Sequence, residues 1–193
     1  QNTMNCCAEQ RGSSATLENG AMPTILVVTG HYLPGFKAGG PIRSISNMVA
    51  WLGDEFDFKI LTTDRDIHDT EPYPEILPGA WNECDKASVR YLAPSEQTPA
   101  TMRKILNSIN YDVLYLNSFF GALTRICLSL RRVRLIPDRP TIIAPRGEFS
   151  PGALALKGAK KRIYLALTQI GNLYDGIIWQ ASSIHEQADI LNT

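Results

Sequence analysis

The sequence feature that most constrains the fold is the stretch 24–46, TILVVTGHYLPGFKAGGPIRSIS. It opens with an apolar, β-branched run that predicts a buried strand. A glycine-rich loop follows and ends at Gly39, Gly40 and Pro41, after which apolar residues recur at helical spacing. Strand, glycine loop and helix in this order present backbone N–H groups to a phosphate in many α/β proteins. We therefore expect Gly39 and Gly40 to contact a phosphate group at the start of the first helix.

The glycine spacing departs from the dinucleotide-binding fingerprint, which is G-x-G-x-x-G in a tight turn between a strand and a helix. The glycines of this loop fall at positions 30, 35, 39 and 40, and the loop is longer than that turn. One feature does match, because Asp64 follows the second predicted strand, where an acidic side chain would meet a ribose. An NAD-dependent oxidoreductase therefore stays an alternative, beside a surface loop whose glycines serve only the backbone geometry.

Composition narrows the class of protein. The 193 residues, 44% of them hydrophobic and 20% charged, are enough for one domain with a real core. Lys and Arg number 19, as do Asp and Glu, and this balance argues against a nucleic-acid binder held by bulk charge. The four cysteines form no C-x-x-C pair, which favours a reducing compartment. No apolar run is long enough to span a bilayer, so we predict a cytoplasmic protein.

Residues 1–21 are polar and lack periodicity, and Met22, directly before the first strand, is a natural start. We interpret 1–21 as a disordered extension or a vector-derived segment, and 22–193 as one domain. Strand patterns alternate with helical patterns along this domain, which predicts a Rossmann-like α/β fold with a parallel sheet and helices on both faces. The predicted strands are 24–29, 56–62, 88–92, 111–116, 140–144 and 176–181. The predicted helices are 41–52, 98–109, 119–136, 153–170 and 183–191, and a long irregular run covers 63–87.

The loops that follow the strands of such a sheet gather at its carboxyl edge, where ligands bind. Four segments should meet there, namely 30–41, 63–66, 117–121 and 145–152. Their polar side chains include amide, hydroxyl and imidazole groups for substrate contacts, a guanidinium to oppose a phosphate or carboxylate, and a carboxylate to accept a hydroxyl proton. The candidate substrate contacts are His31, Asn117 and Ser118, and the candidate catalytic residues are Arg146 and Glu148. Structural alternatives stay open, because Arg146 and Glu148 can pair with each other and Asn117 and Ser118 can cap the next helix.

Three further features have a functional and a structural interpretation. Asp64-Arg65-Asp66 is a D-x-D, a pattern that metal-dependent sugar transferases use, but turn and capping roles suit it as well, and we predict no metal site. Tyr73 and Trp81, in the long irregular run, can stack on a sugar ring or fix that run to the body of the domain. A basic cluster in the predicted helix 153–170 allows weak contact with anionic lipid, with a solvated charged face as the alternative; its members are Lys157, Lys160, Lys161 and Arg162.

Several motifs together resemble a known family. The glycine-loop motif PGFKAGGPIRSI, the TTDRD after the second strand, IIAPRGEFSPGAL at 142–154 and WQASSIHEQADI at 179–190 look like the N-terminal half of GT-B glycosyltransferases. They are most similar to the large family 4 (group 1) of transferases that use nucleotide sugars. The similarity spans residues 22–193, and it rests on the order and spacing of motifs that are individually modest.

This resemblance implies a retaining hexosyltransferase built of two Rossmann-like domains, with the active site in the cleft between them. The present chain would be the acceptor-side domain, and its Gly39 and Gly40 would face the diphosphate of the donor. The domain that binds most of the donor would be absent, so the chain alone is expected to be inactive. The implied partners are a nucleotide-diphosphate sugar and a hydroxyl acceptor, either a glycan or a lipid-linked sugar, with no cofactor and no nucleic acid. The implied role is polysaccharide or glycoconjugate biosynthesis in the cytoplasm or at the inner face of the membrane.

The family pattern is incomplete, since many relatives carry a histidine where this chain has Asn117-Ser118 or Arg146-Gly147. An alternative from another class is a stand-alone flavodoxin-like or regulatory binding domain, which would need no second half.

Overall fold

A computed structural model describes residues 21–155, 164–165, 168 and 171–192. The strands are β1 (Thr24–Thr29), β2 (Asp57–Thr63), β3 (Trp81–Cys84), β4 (Ala87–Leu92), β5 (Val113–Asn117), β6 (Thr141–Ala144) and β7 (Ile177–Trp179). The helices are α1 (Gly40–Leu52), α2 (Pro99–Ser108), α3 (Ala122–Arg132), α4 (Pro151–Ala155) and α5 (Ile184–Leu191), and Pro94–Glu96 forms a 3₁₀ turn.

The seven strands form one sheet in the order β3-β4-β2-β1-β5-β6-β7. Every pair is parallel except β3 with β4. The apolar run of β1 lies at the centre, where Val28 pairs with Leu61 of β2 on one side and Leu116 of β5 on the other. The predicted Rossmann-like α/β fold is confirmed.

Side chains of β1 point alternately to the two faces of the sheet, and helices pack against both faces. On one face Val27 packs in a core with Ile45 and Val49 of α1. On the other face Leu26 and Val28 pack in a second core with residues of α2 and α3, among them Met102, Ile105, Leu123 and Cys127. The two fully covered faces explain why the central strands read as continuous apolar runs.

Apart from the helix 153–170, most of which lies outside the described residues, the predicted elements are confirmed with shifts of a few residues at their ends. Thr98 is the N-cap of α2 and accepts a hydrogen bond from the Thr101 N–H at 3.2 Å. Ser183 caps α5 in the same way, from the Glu186 N–H at 3.1 Å. The largest shift is in α3, which begins at Ala122 rather than 119 and ends at Arg132 rather than 136.

The prediction of an irregular run over 63–87 is wrong at its end, where β3 pairs with β4 as an antiparallel hairpin. The turn is only Asp85 and Lys86, and Asp85 has a φ of 53°. The sequence Trp81-Asn82-Glu83-Cys84 hides the strand because its polar residues suit an exposed sheet edge rather than a buried one.

Two predictions concern residues outside the described part of the chain. The predicted helix 153–170 is seen as α4, while most of its remainder, including the basic cluster 157–162, lies outside the described residues. The predicted extension 1–21 lies outside them too, except for residue 21. In the described part, the structure contains no helix with both the length and the apolar character needed to cross a membrane.

Candidate functional site

The four loop segments predicted to meet at the carboxyl edge of the sheet contribute to one cavity of about 430 Å³. This volume is in the range of about 300–1,000 Å³ that is typical of small-molecule sites. The cavity lies where α1 and α3 begin, on either side of the adjacent strands β1 and β5. Its lining residues are Thr29, Gly30, His31, Ala38, Pro41, Thr63, Ile67, Gln97, Asn117, Ser118, Gly121, Ala122, Leu123, Thr124 and Glu148.

Two helix amino termini open at this cavity, and neither has a side-chain cap. The N-cap of α1 is Gly39, with a φ of 60°, and the N-cap of α3 is Gly121. The first N–H groups of an α-helix have no partner within the helix and carry its positive partial charge. Gly39 and Gly40 are not among the residues that line the cavity, but their neighbours Ala38 and Pro41 are, and at both glycines an added Cβ would meet no atom within 4 Å.

The glycine loop is held in place by Asp66. Its carboxylate is 4% exposed and accepts three backbone hydrogen bonds, from Phe36 at 2.7 Å, Lys37 at 3.0 Å and Ile67 at 2.8 Å. Burial raises the pKa of Asp66, but the hydrogen bonds from the three backbone N–H groups outweigh burial and leave its pKa below the ordinary value. Asp66 is therefore an ionised anchor for the loop.

Asp64, the other carboxylate of the D-x-D, is bound by the neighbouring guanidinium. Arg65 donates from Nε to Oδ1 at 2.7 Å and from Nη2 to Oδ2 at 3.1 Å. Both carboxylates of the D-x-D therefore accept hydrogen bonds from within the chain. Among the described residues no group of three or more His, Cys, Asp or Glu side chains comes together as a metal site.

His31 lies on the wall of the cavity, as the sequence predicted for a ligand contact. Its Nδ1 is 3.4 Å from the Arg65 carbonyl oxygen and 3.2 Å from Thr63 Oγ1. Because Thr63 donates to the Gly30 carbonyl at 2.6 Å, we assign the proton of His31 to Nδ1, from which it donates to these oxygens. In this tautomer Nε2 is a free hydrogen-bond acceptor.

Glu148 also lines the cavity, but its oxygens already accept three hydrogen bonds. Oε1 accepts from the Ser118 hydroxyl at 2.8 Å, and Oε2 accepts from the N–H groups of Phe119 at 2.5 Å and Phe120 at 3.0 Å. Ser118 Oγ in turn accepts from the Gly121 N–H at 3.0 Å. Ser118 has a φ of 94°, a strained value for a residue with a side chain, and Glu148 stabilises this turn before α3.

Arg146 does not line the cavity. It donates from Nε to Asn117 Oδ1 and from Nη2 to the Tyr115 hydroxyl, both at 2.8 Å. The Asn117 amide, 2% exposed, then donates to Thr29 Oγ1 at 3.3 Å. Arg146 therefore orients the Asn117 side chain at the cavity wall. The predicted ion pair between Arg146 and Glu148 is not formed among the salt bridges of the described residues.

A buried carboxylate that was not predicted from the sequence stabilises the turn that contains Arg146 and Gly147. Glu186 is 4% exposed and accepts from the Gly147 N–H and from the Ser182 N–H, both at 2.6 Å. Burial raises the pKa of Glu186, while the Ser182 and Gly147 hydrogen bonds and the charge of Arg146 outweigh burial and lower its pKa. Arg146 and Gly147 both have positive φ, at 57° and 77°. No local pattern around Glu186 indicates that it binds this turn, because the turn is about forty residues away in sequence.

Thr124 and Gln97 also line the cavity and were not predicted. Thr124 is 2% exposed, and its hydroxyl has no hydrogen-bond partner among the described residues.

The two aromatic residues predicted either to stack on a sugar or to fix the long loop make structural contacts. Tyr73 packs edge-on against Tyr91 with ring centroids 6.0 Å apart and donates its N–H to the Asp64 carbonyl at 2.8 Å, so it fixes the long loop to the body of the domain. Trp81 is part of β3, and Lys59 lies over its ring at 5.6 Å.

Comparison with known proteins adds no family. No protein-family model matches the chain, and no curated protein gives a significant match. The similarity to GT-B glycosyltransferases therefore rests on the motifs quoted above.

Proposed function

We propose that this chain is the acceptor-side domain of a retaining GT-B glycosyltransferase similar to family 4. The protein that contains it would move a hexosyl group from a nucleotide-diphosphate sugar to a hydroxyl acceptor. The observation that supports this proposal most is the convergence of four loops on one cavity between two uncapped helix amino termini. Such a cavity offers N–H donors to an anionic leaving group and polar side chains to a sugar.

The amino terminus of α1 is the better of the two for the diphosphate. Gly40 and Ile42 donate no backbone hydrogen bond to any other described residue, and Pro41 has no N–H. No carboxylate caps this end, and Gly39 and Gly40 leave the backbone accessible. Developing negative charge on a leaving phosphate would be stabilised by these fixed donors without reorganisation.

The α3 side of the cavity suits an uncharged sugar better. The Glu148 carboxylate lies there and would repel a second anion, while Lys and Arg are absent from the described lining. The free hydroxyl of Thr124, the amide of Asn117 and Nε2 of His31 are partners for sugar hydroxyl groups. The acceptor hydroxyl would lie near His31, and the diphosphate near Gly40.

One observation favours a second candidate, a non-catalytic binding domain. Both side chains predicted to act in catalysis, Arg146 and Glu148, have their polar atoms engaged by the protein itself. A domain that only binds a ligand needs no such group. The NAD-dependent oxidoreductase loses support, because the Asp64 carboxylate that would meet a ribose is held by Arg65.

The test is transfer activity of the gene product that contains this chain, measured as nucleoside-diphosphate release from a panel of nucleotide-diphosphate hexoses with and without hydroxyl acceptors. The informative variant is Gly40→Val, whose side chain has open space in the free protein but would block a ligand at the backbone. We expect kcat/KM to fall at least about a hundredfold, near 2.7 kcal/mol, with a melting temperature within a few degrees of wild type.

The matched control is Gly152→Val, which also adds a side chain in open space in the first turn of a helix. It should keep near-wild-type kcat/KM. Undiminished activity in Gly40→Val would remove the glycine loop from the active site. Ligand binding without any transfer would support the binding domain instead.

A further inference from the structure

The charge of this chain is balanced in total but divided between two parts of the domain. Residues 66–85 contain six Asp and Glu and no Lys or Arg, whereas residues 97–137 contain six Lys and Arg and a single acid. That acid, Asp112, accepts from the Thr24 N–H at 2.8 Å beside the start of β1. The domain therefore carries two separate regions of opposite potential.

The two charged regions lie on opposite faces of the sheet. In the acidic segment, Tyr73 and Ile76 pack in the core on the face that α1 covers. In the basic segment, Met102 and Ile105 of α2 pack in the core on the other face. The acidic segment also follows β2 at the carboxyl edge, whereas α2 and α3 end at the amino edge, where the next parallel strands begin. The charges of one region are therefore remote from those of the other within a chain.

The basic region is concave. We use the name basic groove for a cavity of about 700 Å³ between α2 and the loop that follows α3. Its three cations, Arg103, Lys104 and Arg134, are exposed and have no ion-pair partner within the described ranges. No Asp or Glu is among its lining residues, which are Ala100, Arg103, Lys104, Asn107, Arg134, Leu135, Ile136 and Pro137. An anionic partner can therefore reach these cations without displacing a carboxylate of the chain itself.

The basic groove is preformed by Asn107. Its amide donates to the Arg103 carbonyl at 2.7 Å within α2 and to the Leu135 carbonyl at 2.8 Å across the groove. These two bonds fix the loop after α3 against α2, and Leu135 stays 38% exposed in the groove lining. A preformed surface loses little conformational freedom when a partner binds, which favours association.

The acidic segment presents its charge on residues 69–78, which we call the acidic loop. Glu71 and Glu75 are exposed and have no ion-pair partner in the described part of the chain. Leu77 is 64% exposed, yet its backbone is fixed, because Asn82 accepts from its N–H at 2.7 Å and donates to its carbonyl at 3.2 Å. Three prolines limit the conformations of the loop further. The acidic loop is therefore also a preformed surface.

The two surfaces are complementary, since each has unpaired charges of one sign beside an exposed leucine whose backbone is held by an asparagine. We propose that the acidic loop of one copy of this chain binds the basic groove of a second copy. Glu71 and Glu75 then face the groove cations, and Leu77 packs beside Leu135. The zero net charge of the chain favours such contacts, because no overall repulsion keeps the copies apart.

The position of the two surfaces also determines the kind of assembly. Because they lie on opposite faces, the contact is heterologous, and each bound pair keeps one free groove and one free loop. Association therefore continues past the dimer. The proposal is independent of the transferase activity, since neither surface contributes a residue to the lining of the candidate site.

The test is analytical ultracentrifugation of the chain over a range of concentrations, at low and at high salt. The weight-average mass of wild type should rise with concentration beyond that of a dimer. Association should weaken with salt, because the Debye length falls from about 30 Å at 0.01 M to about 3 Å at 1 M. A carbodiimide, which joins a lysine to a carboxylate, should link Lys104 of one copy to Glu71 or Glu75 of another. Mixing ¹⁵N-labelled and unlabelled chains identifies these intermolecular products by mass.

Charge reversal tests whether these two surfaces meet. The groove variant is Arg103→Glu, Lys104→Glu, and the loop variant is Glu71→Lys, Glu75→Lys. Each should raise the dissociation constant at low salt at least about tenfold, because like charges then face each other. The combined variant carries both reversals and has the net charge of wild type. It should associate within a few-fold of wild type.

Two control variants change the net charge by the same amounts at exposed positions elsewhere. They are Arg43→Glu, Lys86→Glu for the groove variant and Asp54→Lys, Glu55→Lys for the loop variant. Both controls should associate within a few-fold of wild type. Circular dichroism should show every variant folded, because all the replaced residues are exposed.

Several results would overturn the proposal. One is sedimentation as a monomer at every concentration at low salt, and another is a mass that stops at the dimer, which would show a closed, symmetric contact. An equal loss in a control and its matched variant would show general charge repulsion. A combined variant that stays dissociated would give the groove a different partner. Binding of the groove to anionic vesicles without self-association would identify a lipid surface as that partner.

Discussion

Replacing Asp66 by Asn should loosen the glycine loop, because one buried carboxylate holds three backbone N–H groups. Oδ2 accepts from Phe36 and Lys37, and Oδ1 accepts from Ile67. The amide keeps only one oxygen, so at least one N–H would face the Nδ2 donor. Loss of charge assistance on the remaining bonds and one unsatisfied buried donor together cost about 3 kcal/mol. For a domain of this size that is a fall in melting temperature of about 10 °C.

The same substitution predicts a change in pH dependence. The pKa of Asp66 is lowered in the folded protein, so its contribution to stability is fully present above the unfolded value of about 3.9. That contribution is lost as the pH falls through the lower, folded value. The free energy of unfolding of wild type, measured with urea, should therefore fall as the pH is lowered through this range. The free energy of unfolding of Asp66→Asn should depend less on pH there.

The matched control is Asp69→Asn in the same loop. Asp69 pairs with Lys37 at the surface, where its side chain is 43% exposed, and such pairs contribute at most about 1 kcal/mol. If the free energies of unfolding of Asp66→Asn and Asp69→Asn agree within about 0.5 kcal/mol at neutral pH, the three hydrogen bonds do not anchor the loop and the reasoning is refuted.

Two further positions, Gly35 in the glycine loop and Glu148 on the cavity wall, can be tested by urea unfolding. Gly35→Ala would bring a Cβ into a clash with the Tyr73 hydroxyl and 2.9 Å from the Tyr32 carbonyl oxygen, so we expect a loss of about 2 kcal/mol in the free energy of unfolding. At Gly30 an added Cβ meets nothing within 4 Å, so Gly30→Ala should change this free energy by less than about 0.5 kcal/mol. Equal effects would show that the Gly35 contact is not restrictive. Glu148→Ala should cost about 3 kcal/mol because it leaves the Ser118 hydroxyl and two N–H groups without their acceptor, while Glu148→Gln, which keeps one oxygen for the N–H groups, should cost about 1 kcal/mol. A folded Glu148→Gln with kcat reduced a hundredfold or more would support the predicted catalytic role, and full activity would leave Glu148 a purely structural residue.

Much of the fold was predictable because burial leaves a direct pattern in the sequence. The strands β1 and β5 are covered on both faces, and their continuous apolar runs identify them. Caps such as Thr98 and Ser183 are equally local signals. The edge strand β3 was missed because an exposed edge needs no apolar run, and its register is set by β4 rather than by its own residues.

The start of α3 shows why local pattern fails at the site. The apolar residues Phe119 and Phe120 suggested that the helix begins there. Their N–H groups are instead bonded to Glu148, which is about thirty residues away, and Ser118 adopts a φ of 94°. A contact between distant segments therefore decides the boundary, and no helical periodicity reveals it.

The convergence of the four loops was predictable, but the contacts made by their side chains were only partly so. Parallel-sheet topology places the four loops at one edge, and His31, Asn117, Ser118 and Glu148 do line one cavity. Which atoms are free for a ligand depends on tertiary hydrogen bonds. Arg146 orients Asn117, whereas the hydroxyl of Thr124 forms no hydrogen bond among the described residues, and no local pattern separates these two cases.

The central claim is that the cavity between α1 and α3 receives a nucleotide-diphosphate sugar and a hydroxyl acceptor. The most direct measurement is a ¹⁵N-¹H correlation titration of the chain with nucleotide-diphosphate hexoses, neutral hexosides and, for comparison, NAD. The account predicts that the diphosphate compounds shift the amide signals of Gly40 and Ile42, and that the hexosides shift those of Leu123 and Thr124. Shifts that avoid both helix starts, or that appear there with NAD alone, would contradict it.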